Sequence, residues 1–430
     1  MNIDNILKEI FGFRFSERRN NIDDLKLVYN LLGNPCENSK IIHIAGTNGK
    51  GSTATFIESI LLEADFNVCK FTSPHILKYN ERIVSNKMMI SDDKIIYFYN
   101  VLSNTVKNFN KNNDITIRLN FFEITTFIAL LFFELQNPDF VILEAGLGGR
   151  LDATNIVNSD IAVITNITFD HVDILGKTLK QIAYEKTGII KNGELCIFSH
   201  DLPELKEEVD KKTKNSINII DKYKDLNINL DKKNYKTVTE FENKKFILPL
   251  FGKFQAYNFL LAYEIAKIYN ISDEVIQKGL DCVHWSGRFE LFSLNPVIIL
   301  DVAHNDDSIK KLLENIKELY GKNEVIIITS LLQTKDFISI FSQLESVTDK
   351  IFITSLKDAV YGLTSLEIRK KMEILNIPTD NIIFEDSISI AYNEALKLLN
   401  DKNTNYKAII VCGSFYEIFK FKNLIHKKEK

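Results

Sequence analysis

A chain of 430 residues exceeds one ordinary domain, so two or three are expected. A hydrophobic fraction of 45% with 26% charged residues is that of a globular protein rather than a disordered or fibrous one. A net charge of −4 excludes a general attraction to nucleic acid or anionic membranes, so anionic ligands must be held by local cations.

The amino terminus carries Asp4 and Glu9 and does not read as a signal peptide. Helical periodicity follows at 6–11 and 25–32 and is closed by Gly33-Asn34-Pro35. Residues 41–45 are apolar and β-branched, the pattern of a buried parallel strand. They feed Gly46-Thr47-Asn48-Gly49-Lys50-Gly51-Ser52, after which 54–62 has helical spacing. Strand-like runs continue at 67–71, 140–143, 161–164 and 195–198, alternating with helical stretches at 122–135 and 178–188. The run at 127–133 is too short to cross a bilayer. Residues 202–243, rich in Lys and Asp, read as polar surface structure with a few antiparallel strands.

A second alternation begins near Pro296, with strands expected at 297–300, 325–328, 351–353, 382–384 and 408–411. Helices are expected between them at 309–320, 337–344, 366–374 and 388–399. The fold class is therefore α/β: a P-loop NTPase-like parallel-sheet domain, residues 1–287, then a smaller Rossmann-like domain, 288–430. The hinge is expected at Trp285-Ser286-Gly287-Arg288. Cysteines 36, 69, 196, 282 and 412 stand singly, with neither metal nor disulfide spacing, which suits a reduced, cytoplasmic protein.

A phosphate loop needs glycines that let consecutive N–H groups close on an anion, a lysine to offset phosphate charge, and a hydroxyl. Residues 46–52 supply all three between a strand and a helix. The loop departs from the common pattern, because Ile44 stands where the first glycine would fall and Gly51 separates Lys50 from Ser52. Glu144 ends a strand and is followed by glycines, a position from which a carboxylate holds Mg²⁺ beside phosphates. Ser73 and His171 also follow predicted strands; taken alone, each is more often structural.

The loop form, with its Gly51-Ser52 ending, resembles that of the Mur ligase superfamily and specifically its folylpolyglutamate and dihydrofolate synthase branch. Further segments resemble that branch in order. They are Thr72-Ser73-Pro74-His75, Gly148-Gly149-Arg150-Leu151-Asp152-Ala153-Thr154-Asn155, Asp170-His171 with Leu175-Gly176, and Ile182-Ala183-Tyr184-Glu185-Lys186-Thr187-Gly188. Gln255 to Asn258, Trp285 to Glu290, Asp301-Val302-Ala303-His304-Asn305 and Gly413-Ser414 continue the series, with Val302 in place of the usual glycine.

The resemblance implies an ATP-dependent ligase that adds L-glutamate to a folate carboxylate through an acyl phosphate. It assigns ATP to Asn48, Gly49, Lys50, Gly51, Ser52, Asn258, Arg288 and Asp301. Mg²⁺, two ions by this reading, falls to Ser73, Glu144 and His171, with Asp170 orienting the imidazole. Phe122, Glu123, Thr126, Arg150 and Asp152 line the acceptor's site, and Lys50, Lys186 and His304 serve catalysis, Lys186 as an amine open to carbamylation by CO₂. The implied partners are small molecules alone (folate or dihydropteroate, glutamate and ATP), and the implied state is a monomer. The segment Ile22-Asp23-Asp24-Leu25-Lys26-Leu27-Val28 departs from the Asp-Leu-Gly-Leu-Glu-Arg-like run of bifunctional members, which leaves dihydrofolate synthase activity open. The rival readings are another Mur-type amino-acid ligase and an ATP-driven switch; the latter would need neither Lys186 nor a second α/β domain.

Overall fold

A computed structural model describes residues 3–13, 20–191, 193–357, 359 and 361–428. Seventeen strands form three sheets among these residues. The largest contains β1 (Lys40–Ala45), β2 (Val68–Phe71), β3 (Ile83–Ser85), β4 (Met88–Met89), β5 (Phe140–Glu144), β6 (Ile161–Ile164), β7 (Leu195–Phe198) and β8 (Ser216–Asn218). Their order is β4-β3-β2-β5-β1-β6-β7-β8, parallel from β2 through β8, with β3 and β4 added as an antiparallel edge.

The interior strands are apolar on both faces because helices cover both. On one face Ile41, Cys69, Phe71, Val141 and Leu143 join a core with the helices Asp23–Leu31, Asp92–Asn112 and Phe121–Gln136. The helix Lys50–Glu63 packs on β1, β2 and β5. It is pinned there by a buried ion pair between its Glu58 and Lys70 of β2. Gly279, on the helix Asp273–Asp281, has no side chain because a Cβ would meet the Ile60 backbone at 2.8 Å.

A second sheet holds β9 (Asn227–Asp231), β10 (Lys236–Phe241) and β11 (Lys244–Leu248) in the order β11-β10-β9. A third holds β12 (Glu290–Leu294), β13 (Val297–Leu300), β14 (Val325–Thr329), β15 (Ile351–Ile353), β16 (Ile382–Phe384) and β17 (Ala408–Cys412). Its order is β12-β13-β17-β14-β15-β16, parallel except for the antiparallel edge β12. By contacts the chain forms two compact units. The first is 1–226, 241–244 and 257–283; the second is 227–240, 245–256 and 284–430.

Two expectations change. The phosphate-loop helix starts at Lys50 rather than 54, since Gly51 and Ser52 already belong to its first turn. The stretch expected to be polar surface contains a helix, Pro203–Lys212, and adds β8 to the large sheet. Its apolar signal is only Leu205 and Val209, four apart and both in the core, which the surrounding charges conceal.

His43, on β1, is fully buried, and its Nε2 lies 2.8 Å from the Thr154 hydroxyl. Burial, helped by Lys191, lowers its pKa from 6.5 to about 3. Below pH 6.5 the unfolded chain therefore takes up a proton that the folded chain refuses, and stability is lost as pH falls from about 6.5 towards 3. Glu194 and Glu417, raised to about 7, and Asp301, raised to about 6, act in the opposite direction. A His43→Gln variant isolates the histidine. Between pH 7 and pH 5, urea unfolding of the wild type should lose about 2 kcal/mol more than that of the variant. Parallel pH profiles would refute a buried neutral imidazole.

Candidate active site

β1 ends at Ala45 and the chain turns through Gly46 to Gly49 into the helix Lys50–Glu63. Gly49 caps that helix at φ +86°, a left-handed conformation that an L side chain adopts only with strain. Asn258 lies against it, its carboxamide filling the space a Cβ would need. The helix's first intrahelical bond, Thr53 N–H to Gly49 O at 2.9 Å, leaves the N–H groups of Lys50, Gly51 and Ser52 ahead of it. Lys50 Nζ donates to Gly46 O and Thr47 O, both at 3.1 Å, so its ammonium lies over the loop. Helix N-terminus and ammonium together make an anion site.

The residues past β2 and β5 meet beside this loop, since β5 is the immediate neighbour of β1 and Glu144 stands opposite Ile44. Glu144 is buried, and its carboxylate accepts the Ser73 N–H at 3.0 Å. A buried carboxylate beside a hydroxyl-bearing residue offers the hard oxygens that Mg²⁺ takes, with water completing its shell. His171 sits on a separate loop at φ +50° with a half-exposed side chain, and its Nε2 lies 3.9 Å from Asp170. Among the described residues no three His, Cys, Asp or Glu side chains converge as a ready-made metal cluster.

Lys186 lies at the end of the helix Leu179–Lys186, buried, with Nζ donating to Gly46 O at 2.7 Å. Burial, reinforced by the charge of Lys50, holds its pKa well below the ordinary lysine value. The neutral amine is therefore reached more easily than at an exposed lysine, and Nζ touches the same carbonyl as Lys50. Arg150 pairs with Glu185 at 2.8 Å and stacks 5.3 Å over Tyr184.

Asp152 is buried and accepts from the N–H groups of Leu147 and Thr154 and from the Thr154 hydroxyl, so it shapes the loop after β5. Glu123 is buried and closes a capping box with Asn120 at the start of the helix Phe121–Gln136. Phe122 packs on Gly146, where a Cβ would strike its ring, and its carbonyl accepts the buried Thr126 hydroxyl at 2.9 Å.

In the second unit Asp301 follows β13 and is buried, accepting from Phe289 N–H and Ala303 N–H, each at 2.8 Å. Burial raises its pKa to about 6 against the opposing pull of Arg288. Arg288 stacks 5.2 Å over Phe415, and the same ring lies 6.1 Å from that of His304. The His304 Nδ1 is 2.8 Å from Val302 O. Thus Arg288, Asp301 and His304 are gathered at one end of the parallel strands β13 and β17, where open α/β sheets bind ligands. Asn305 caps the following helix, and Asp336 caps Phe337–Leu344.

Sequence reasoning missed Thr165, and it gave no role to Phe415, which lies in the Cys412-Gly413-Ser414-Phe415-Tyr416 segment that also resembles the family. The first follows β6 as an ordinary Thr; only the placement of β6 beside β1 brings it to the phosphate loop.

Both halves match known families, the description Mur ligase middle domain at residues 44–266 and Mur ligase, glutamate ligase domain at 287–415. The class is thus that of the Mur ligases. The dihydrofolate synthase/folylpolyglutamate synthase of Bacillus subtilis (strain 168) is 32% identical over 403 residues, 90% of each chain. Escherichia coli FolC in complex with DHPP and ADP has a TM-score of 0.84 at 27% identity, covering 100% of this chain and 99% of that one. The Yersinia pestis bifunctional enzyme complexed with AMPPNP and Mn ion has a TM-score of 0.83 at 26% identity, covering 99% and 98%. The chain belongs to the folylpolyglutamate synthase/dihydrofolate synthase family.

Proposed function

We propose that this chain is an ATP-dependent carboxylate–amine ligase that adds L-glutamate to the carboxylate of a folate. The observation that carries the reading is the loop 46–52, with Lys50 over its carbonyls, in a chain similar to such synthases over nearly its whole length. A carboxylate oxygen does not leave unaided at neutral pH. Transfer of the ATP γ-phosphoryl group to it gives an acyl phosphate; the glutamate amine then attacks the acyl carbon and inorganic phosphate departs. No protein nucleophile is needed, so catalysis is positioning and charge neutralisation.

In this reading Lys50 and the N–H groups at the start of its helix bind the phosphates, and Asn258 borders them. Arg288 and Asp301 are assigned to ATP, and His304 to catalysis. Ser73, Glu144 and His171 would hold Mg²⁺, two ions in the full complement, which when bound neutralise phosphate charge. Lys186 is carbamylated, R–NH₂ + CO₂ giving R–NH–COO⁻ and a proton, a reaction that requires the neutral amine its burial favours. Phe122, Glu123, Thr126, Arg150 and Asp152 shape the acceptor's surroundings. The protein works as a cytoplasmic monomer on small molecules; no helix among the described residues is long and apolar enough to cross a membrane.

Dihydropteroate is a second acceptor to consider, because the Bacillus subtilis relative is named for both activities. The test is glutamate-dependent ADP release with tetrahydrofolate and with dihydropteroate as acceptors. Release with tetrahydrofolate is expected; release with dihydropteroate adds the second activity. No acceptor- and glutamate-dependent ADP with either would overturn the proposal.

A further inference from the structure

The phosphate loop does not hold its shape alone. Thr165 and Asn166, the two residues after β6, form a template beneath it. Thr165 N–H donates to Ala45 O at 2.9 Å, and its buried hydroxyl donates to Asn48 O at 2.6 Å. The Asn166 carbonyl accepts the Thr47 N–H at 2.9 Å, and its side-chain oxygen accepts the Asn48 N–H at 2.7 Å. Gly46 lacks a side chain where one would collide with the Thr165 hydroxyl. Two residues just past a neighbouring strand thereby bond the N–H groups of Thr47 and Asn48 and the carbonyl of Asn48. The Asn48 N–H is thereby engaged by Asn166, and the N–H groups of Lys50, Gly51 and Ser52 lie ahead of the helix's first intrahelical bond.

We infer that Thr165, with Asn166, is a positioning residue for nucleotide binding, fixing Asn48 so that the N–H groups of Lys50, Gly51 and Ser52 are presented together. The inference rests on the nucleotide reading of the loop. Thr165 acts through its hydrogen bond to Asn48. Valine has nearly the same shape as threonine but no donor, so Thr165→Val removes the hydrogen bond to the Asn48 carbonyl, whereas Thr165→Ser keeps the donor.

The experiment is calorimetric titration of the full chain with Mg·ADP, together with steady-state KM values for ATP and glutamate. Thr165→Val should raise the Kd for Mg·ADP and the KM for ATP about tenfold, with the glutamate KM unchanged. Thr165→Ser should restore both to within about twofold. A purely structural role would lower thermal stability without separating the two KM values.

Wild-type affinity in Thr165→Val, equal rises in both KM values, or failure of Thr165→Ser to restore binding would overturn the inference. Should Thr165→Val fail to fold, Asn166→Ala reads the same loop through the Asn48 N–H; it should weaken Mg·ADP by a similar factor, and unchanged affinity there is equally fatal. Absence of Mg·ADP binding by the wild type would instead overturn the nucleotide reading itself.

Discussion

Lys50→Ala is expected to fold normally and to lose ATP-dependent amide formation by about 10³-fold or more. The Lys50 ammonium donates to the carbonyls of Gly46 and Thr47, at the loop's surface. Their loss costs about 1 kcal/mol, and alanine is the better residue for the first turn of a helix. The helix N-terminus does not replace the Lys50 charge, since it offers only partial charges, whereas γ-phosphoryl transfer gathers full negative charge on the phosphate oxygens. Circular dichroism and urea unfolding should match the wild type while ADP release falls to background. Near-normal turnover would sink the mechanism. Removing Lys50 also removes a charge that helps lower the Lys186 pKa, so a Lys50/Lys186 double variant should depart from additivity.

Lys186→Ala is expected to lose about 10²-fold or more of turnover, and short carboxylic acids such as acetate should restore part of it. The reasoning runs from burial to charge. Lys186 sits among few compensating groups, with Asp170 and Asp152 acting on it less than desolvation and Lys50 do. A free ammonium there is disfavoured, and the amine left behind is the form that adds CO₂. The carbamate would then present an anion where the bare chain has an amine, and a small carboxylate diffusing into the alanine variant's space replaces that anion. Steady-state turnover of Lys186→Ala with and without acetate, beside Lys186→Arg, reads this directly. If Lys186→Arg keeps wild-type turnover, a plain cation suffices and the carbamate assignment falls. The folded chain binds fewer protons here than the unfolded chain, so this group adds stability as pH rises towards the ordinary lysine value.

Much of the first unit was legible because its strands are short apolar runs and the loop between β1 and its helix has a physical reason for every glycine. Residues 140–144 read as a strand ending in a carboxylate, and Glu144 ends β5 beside β1. The edge strands β3 and β4 did not announce themselves: three residues and two residues are too few to show a period. The helix Asp92–Asn112 is interrupted by asparagines and aromatic residues, and its clearest signal is the Ser91 cap rather than its apolar face.

The site divides the same way. Lys50 could be named from local pattern and Ser73 only through the family resemblance, but what they touch could not. That Glu144 accepts the Ser73 N–H, or that Lys186 and Lys50 share the carbonyl of Gly46, depends on strand order and burial. Glu123 shows the converse: its local reading as a helix-start carboxylate is what the geometry displays, in the capping box with Asn120.

The adjacency of β5, β1 and β6 also bears on how the chain is made. These strands come from 140–144, 40–45 and 161–164, so the anion site exists only after segments far apart in synthesis have found each other. Long-range pairing of this kind is slow to form, because loop closure precedes its reward. Nucleotide present at a hundred times its dissociation constant would add about 2.7 kcal/mol to the assembled form and nothing to the unassembled one. Bound nucleotide would thus hold the assembled strands together as well as react, so added Mg·ADP should raise the midpoint of urea unfolding.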